Sequence, residues 1–514
     1  RQMCIRDSDK AARLRPRRRF TPFTPYREPS VSDTNQARIT HFKNLSTLVA
    51  WDAELGSHVY IENADLVMRG NTVIHAGAGY AGPADHVVPG SGLMAMPGLV
   101  NVHTHPSSEP GNRGLLEELG SDKLGQSSLY EYMPVFRMGI ETAQYANQVA
   151  VSEMLLSGVT TFVDMSLPRP GWADVVAGTG IRGVLGPMFR SAAWRTTDGH
   201  SVEYTWDEAG AVKSFEAALD VVDSAISHPS GRLSAMLCPS QVDTCSPELL
   251  KEAQAAARRL GIPMQIHAAQ SVVEFSEMTR RHGRTPIEWL DDQGLLDQDL
   301  IIGHGIFLND HRALYWPHAD DFGLLQRSGS HVAHCPTVFV RRGIALSFLG
   351  RYLRAGINVG IGTDTFPHNM LDEMRLACYV ARLQAGHFRA ASTEEVFNAA
   401  TVNGAKMLGR DDIGRIAVGG KADFSLVDLS HPYMRPGREP LRSLIYSAGD
   451  RAIRDVYVDG EQVVKNGQLL TIDIERCMQE VERAQAQTIA TVSQRDYAGR
   501  SIDAMSPRVF PSRA

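Results

Sequence analysis

MPGLVNVHTHP, residues 96–106, is a short apolar run that ends on two histidines. Gly98 and Pro106 punctuate it, and its length suits a buried strand better than a helix. Side chains at i and i+2 of a strand point the same way, so His103 and His105 share one face at its C-terminal end. Outward from this stretch the texture repeats. Apolar runs predict strands at Gly98–His105, Thr160–Ser166, Arg182–Arg190, Ser234–Ser240, Met264–Gln270, Ile301–Leu308, His331–Pro336 and Asn358–Asp364. Helix-period stretches separate them, Pro247–Leu260 and Thr393–Leu408 among them. Alternation of this kind marks parallel βα units. Eight units across 97–410 predict an α/β fold, a (β/α)8 TIM-like barrel with its chemistry at the C-terminal strand ends.

Both flanks read differently. His58–Ile61, Ala64–Met68 and Thr72–Ile74 on one side, and Ala422–Asp428 and Ile453–Gly460 on the other, are short alternating runs between Gly and Asn turns. That is the texture of antiparallel hairpins. Residues 45–96 and 411–470 are therefore expected to build one small β-sandwich from both chain ends. Residues 471–514 read as a C-terminal helix and tail. Residues 1–44 read as a disordered or artefactual extension. Arg1–Ser8 back-translates to a transposon-adapter sequence used in DNA library preparation, and Ala11–Ser30 is rich in Arg and Pro without apolar periodicity.

The 514 residues carry a net charge of −6, so no basic excess is available to neutralise phosphates and no nucleic-acid partner is expected. No run of about 18 apolar residues exists, and no membrane partner is expected. The six cysteines are scattered and form no CxxC pair, which suits a reduced, cytoplasmic chain. A small-molecule substrate is the expected partner; a homo-oligomer is left open.

Polar residues stand where a buried strand should end. His103, His105, His267, His304, His334 and Asp364 all lie at C-terminal strand ends, on one rim of the expected barrel. One strand-end histidine alone is ordinarily a satisfied core residue; this many on one rim is not. Three imidazole nitrogens and one carboxylate oxygen, from His103, His105, His267 and Asp364, suit a divalent metal with a position left for water. Zn²⁺ is the first choice, with Fe²⁺ or Mn²⁺ as alternatives.

MPGLVNVHTHP, PMQIHAAQS (263–271), IIGHGIFL (301–308), VAHCPT (332–337) and VGIGTDTFPHNM (359–370) together resemble the amidohydrolase superfamily, in its triazine hydrolase/cytosine deaminase-like branch. The similarity extends through EMLLSGVTTFVDM (153–165), EEVFNAATVNGAKMLG (394–409) and IGRIAVGGKADFSLVDL (413–429). The resemblance implies the same barrel and satellite. It also implies that His103, His105, His267 and Asp364 are metal ligands. His304 matches the strand-six histidine beside the nucleophilic water, and Asp364 the base that takes its proton. A bound cation lowers the pKa of its water towards 7, and a neighbouring carboxylate relays the proton. The members that bridge two metals use a lysine after strand four; CPSQVDTCSPELL (238–250) has none, so one metal is expected.

Two positions depart from the branch. Gln270 stands where its deaminases carry a shuttle glutamate, and an amide cannot deliver a proton as a carboxylic acid does. Glu274 is the alternative donor. Pro239–Thr244 lacks the histidine that relatives carry after strand four. Arg113, His334 and His368 are candidate substrate contacts, whereas Arg341-Arg342 reads as a solvated surface pair. The expected activity is hydrolysis of a non-peptide carbon–nitrogen bond, foremost deamination of an amino-substituted heterocycle by metal-bound hydroxide. Hydrolysis of an amide, urea-like or halide leaving group is the alternative that Gln270 favours. A non-catalytic scaffold on the same fold is the distant one.

Overall fold

The computed structural model describes residues 37–512. Its parallel strands form at the short apolar runs. They are β1 (Leu99–Thr104), β2 (Val159–Ser166), β3 (Arg182–Phe189), β4 (Leu233–Ala235 continued by Cys238–Pro239), β5 (Met264–Ala268), β6 (Leu300–His304), β7 (His331–His334) and β8 (Val359–Ile361). Nearly every residue in them is buried, as parallel strands covered on both faces require. β1 to β4 make one parallel sheet and β5 to β8 another.

The sheets are linked along both outer edges. On one side Leu237 bridges to Met264 and Gln241 to His267; on the other Thr104 bridges to Asp364. Backbone bonds reinforce the second link, with Asp364 N–H donating to His103 O at 2.8 Å and His105 N–H to Asp364 O at 3.0 Å. Val100, Val102, Val163, Met165, Val184, Met236, Ile301 and Ala333 fill one shared core between the strands.

Helices cover the outer faces and begin and end on recognisable signals. Pro247–Leu260 starts on Ser246, whose side chain accepts from Leu249 N–H, has Pro247 in its first turn, and stops at Gly261 in the left-handed region. The helix expected over Thr393–Leu408 is instead two, Thr393–Ala399 and Val402–Met407. The break falls where Val100 N–H of β1 takes the Ala400 carbonyl at 2.8 Å, so that carbonyl does not continue the helical ladder.

Strands from both chain ends join in one nine-stranded mixed sheet. Its junction is the antiparallel pairing of Phe424–Asp428 with Leu93–Pro97. The sheet curls back on itself. Ile39–Asp52 and Ile453–Val458 are separated by two intervening strands, which in a flat sheet is about 14 Å. Yet the Phe42 and Tyr457 ring centroids are 5.2 Å apart. Residues 419–420 also bond to Val73 on the far strand Thr72–Gly77. One curled sheet around Phe42, Leu66, Phe424 and Leu426 thus stands where two sandwich layers were expected.

Its first strand begins at Ile39, inside the stretch 1–44 assigned to an extension. A bulge between Phe42 and Leu45, with Asn44 at φ 57, breaks the alternation that marks a strand in sequence. The artefact reading of Arg1–Ser8 and the Arg- and Pro-rich run lie outside the described residues. The C-terminal segment is helical at Ile474–Ala490. No helix among the described residues is long and apolar enough to cross a membrane.

Arg182, 2 % exposed at the start of β3, fastens the satellite sheet to the parallel strands. Its Nε and Nη2 donate to both Asp423 oxygens at 2.8 and 3.0 Å, and Nη2 donates to Asp459 Oδ1 at 2.9 Å. Arg182→Met leaves the Asp423 charge buried without its cation and is expected to cost about 3–5 kcal/mol in urea unfolding. Adding Asp423→Asn should recover part of that loss. A single-variant loss below about 1 kcal/mol would show that the pair does not hold the sheet.

Candidate metal centre

Strand ends bring the candidate residues to one point. His103 lies at the end of β1 and His105 directly follows it, His267 sits on β5, His304 ends β6, and Asp364 follows β8. The ligand atoms of His103, His105 and His267 all lie within 4.8 Å of one another, as do those of His103, His304 and Asp364. Asp364 Oδ1 is 3.8 Å from His103 Nε2 and 3.4 Å from His105 Nε2, while Oδ2 is 3.5 Å from His304 Nε2. His105 Nε2 and His267 Nε2 are 3.2 Å apart.

Hydrogen bonds at the far side of each ring aim these atoms. His105 Nδ1 meets Met165 O at 2.9 Å, His267 Nδ1 meets Ser240 O, and His103 Nδ1 meets Gln265 Oε1. Each partner is an oxygen that can only accept, so each Nδ1 carries the proton and each Nε2 keeps its lone pair for the centre. Burial pushes His103 down to about 3, with the neighbouring His105 adding to it, and holds His267 and His304 well below the ordinary histidine range. His103 Nε2 is buried and has no hydrogen-bond partner. A buried, neutral, unpartnered nitrogen among others of its kind and a carboxylate is the donor set of a borderline divalent cation, and the residues fit one.

Asp364 is held in the left-handed region, at φ 60, by its two backbone bonds to β1. Behind it Thr363 is bracketed by Asn101, which donates from Nδ2 at 2.9 Å, and by His368 Nδ1 at 2.9 Å. His368 was expected on a rim loop against substrate. It is 0 % exposed and braces the Asp364 turn instead, its backbone N–H bonded to Glu153.

Arg113 is paired with that same Glu153, so its guanidinium is already committed. Arg341 and Arg342 are not a solvated pair: Arg341 donates to Phe366 O, and Arg342 to Val338 O and, at 2.9 Å, to Leu119 O. His334 ends β7, buried, and burial alone pushes it down to about 4. Gln270 is buried with Nε2 unpartnered and makes no hydrogen bond to the cluster. Glu274 accepts from the Ala269 and Gln270 backbone N–H groups and so braces the loop after β5, while burial raises its carboxyl well above the ordinary range.

Sequence reasoning missed two residues. Gln265 lies two positions before His267, and the period of a strand would have flagged it. Glu109, four residues beyond His105, is 1 % exposed, with Oε1 unpartnered, and burial pushes it up to about 7.

His267→Ala is expected to weaken divalent-metal binding at least tenfold while the melting temperature of metal-free protein moves by no more than about 3 °C, since one rim side chain adds little to the core. Elemental analysis after dialysis reads this directly. Full metal retention in a folded variant would remove His267 from the ligand set.

The amidohydrolase family matches residues 94–463, a span that includes the whole cluster. The chain is 31% identical over 420 residues to a 5-methylthioadenosine/S-adenosylhomocysteine deaminase of Thermococcus onnurineus, covering 80% of this chain and 92% of the relative. It is 30% identical over 410 residues to a 5'-deoxyadenosine deaminase of Methanosphaera stadtmanae, covering 79% and 90%. A triazine hydrolase from Arthobacter aurescens superposes with a TM-score of 0.73 at 21% identity, over 87% of this chain and 99% of that one. An adenosine deaminase from Xanthomonas campestris with bound zinc gives 0.72 at 23% identity, over 88% and 99%. These two likenesses concern the fold and make it TIM-barrel-like. A match across most of the chain, with the histidine–aspartate cluster inside it, decides the family: this chain belongs to the amidohydrolases, hydrolases of carbon–nitrogen bonds outside peptides.

Proposed function

We propose that the chain is a mononuclear aminohydrolase that removes the ring amino group of a small heterocycle, with one divalent cation, zinc first, on His103, His105, His267 and Asp364. The observation that carries this reading is that the ligand atoms of His103, His105 and His267 lie within 4.8 Å of one another, each ring aimed by its own Nδ1 bond, with Asp364 Oδ1 3.4 Å from His105 Nε2 and 3.8 Å from His103 Nε2. A count of one is supported by the end of β4, where Ser240 and Gln241 stand and no lysine follows before Lys251 in the next helix. The links along both sheet edges support a closed (β/α)8 barrel around this centre, with a satellite domain drawn from both chain ends.

When bound, the cation supplies Lewis acidity and makes water in the site more acidic. The chain supplies the proton handling. Asp364 Oδ2 faces His304 Nε2 at 3.5 Å, so a proton accepted by the carboxylate can pass to the imidazole and on to a departing nitrogen. Burial, with the neighbouring histidines adding to it, holds His304 well below the ordinary histidine range, so the ring is neutral and would pass on a proton readily rather than retain it. Phe339 lies edge-on to the His304 ring, the centroids 4.6 Å apart, and His304 is buried. The relatives named above act, by their names, on adenosine derivatives, which carry a ring amino group; this supports a purine-type amine as substrate.

A second reading rests on Gln270. The shuttle carboxylate expected there is an amide, and Glu274 beside it is bound to backbone. A site built this way also suits a leaving group that departs without a proton from that position, such as a halide or an activated amide.

Two measurements separate these readings. Zinc-loaded protein should release ammonia from 5'-deoxyadenosine, 5'-methylthioadenosine or S-adenosylhomocysteine; release of chloride or amine from triazines and aryl amides, without ammonia from any purine, would favour the second. On the substrate so found, His304→Ala should keep its metal and lose roughly 10²–10⁴-fold in turnover. Full activity in that variant would show that His304 does not handle the proton.

Gln270→Glu restores the carboxyl group. For a deaminase it should preserve or raise ammonia release and add an ionisation to the pH–rate profile. Activity should fall instead if the new charge only crowds Asp364. A variant unchanged in both rate and profile would place Gln270 away from the reacting centre.

A further inference from the structure

The three histidines of the centre are not held alike. His105 and His267 bond through Nδ1 to backbone carbonyls, of Met165 and Ser240. His103 alone bonds to a side chain, Gln265 Oε1. Gln265 stands two residues before His267 on β5, so both side chains leave the strand on the same face. Gln265 and His103 are each 0 % exposed.

The orientation of the Gln265 amide follows from its other contacts. Nε2 donates to Val102 O at 3.0 Å and lies 3.7 Å from Met236 Sδ. A carbonyl oxygen needs a donor, so the nitrogen is on that side and the oxygen is left for the imidazole. Room for the pair comes from Gly303 on β6. A Cβ there would stand 2.9 Å from His103 Cε1 and 3.6 Å from Gln265 Oε1.

We infer that Gln265 is a positioning residue of the metal centre, which fixes the tautomer and ring angle of His103. The inference rests on the metal-centre reading given above. A neutral imidazole has one proton to place. With Oε1 in position the proton stays on Nδ1 and the Nε2 lone pair faces the centre. Without it the Nε2–H tautomer becomes accessible and presents a proton where the cation needs an electron pair. Carbonyl partners cannot be changed by substitution, so Gln265 is the mutable partner among these three bonds.

The test is zinc affinity, measured on the full chain by competition with a chromogenic chelator. Gln265→Met keeps the length and removes the acceptor. It should bind zinc about 10–100-fold more weakly than wild type. Cobalt(II) in place of zinc should give visible absorption bands displaced from those of wild type, a change that a merely structural role would not produce. Equal zinc affinity and superimposable cobalt spectra in a folded Gln265→Met protein would overturn the inference. If that variant does not fold, ring ¹⁵N shifts of metal-free wild type decide: a proton on His103 Nδ1 supports the inference and one on Nε2 overturns it. Wild type that takes up no zinc would remove the metal-centre reading and this inference together. A wild type that binds zinc no more tightly than the variant removes the inference alone.

Discussion

The seam between β1 and β8 closes one edge of the parallel sheets and builds the site with the same atoms. Asp364 donates its N–H to His103 O and accepts at its carbonyl from His105 N–H, so it sits in register between the two histidines of the HTH stretch. An aspartate at φ 60 is costly for an L-residue, by roughly 1–3 kcal/mol, and these two bonds hold it there. Thr363, gripped from Asn101 and His368, stiffens the same turn from behind. The carboxylate is thereby fixed before any ligand arrives, with one oxygen towards His103 and His105 and the other towards His304.

Around that seam the electrostatics follow from burial. Histidines taken out of water lose their charged form, and lose it further beside one another. Neutral rings can donate electron pairs; charged rings cannot. The loop after β1 is tied down from two directions. Arg342 donates to Leu119 O from the β7 side. From the C-terminal segment, the Gln485 side chain bonds to Gly111 O and Arg113 O, and Ser506 to Leu115 O. An apolar cluster of Leu115, Leu116, Val135, Phe136, Val492 and Met505 seals the contact. The terminal helix and tail therefore belong to the architecture of the site's surroundings.

The parallel strands were legible because a strand buried on both faces is a continuous apolar run, and polar residues at its end stand out. All five residues that the structure brings together at the strand ends, His103, His105, His267, His304 and Asp364, could be named this way. Satellite boundaries were harder: the bulge at Phe42–Leu45 shifts the alternation, so Ile39 and its neighbours do not read as a strand. Composition misled at Arg341-Arg342, since a charged pair looks solvated until backbone carbonyls are found around it. His368 misled similarly, because its partner Thr363 is local in sequence but its burial depends on the tertiary fold. The break at Ala400 depends on a bond to Val100, a contact between residues far apart in sequence.

These strand ends are proposed to form a single metal centre of nitrogen and oxygen donors alone. X-ray absorption at the zinc edge of protein loaded with one equivalent tests it most directly. The expected result is a shell of nitrogen and oxygen at about 2.0–2.2 Å with the multiple-scattering signature of several imidazoles. A sulfur shell near about 2.3 Å, or a metal–metal vector near about 3.5–4 Å, would contradict it.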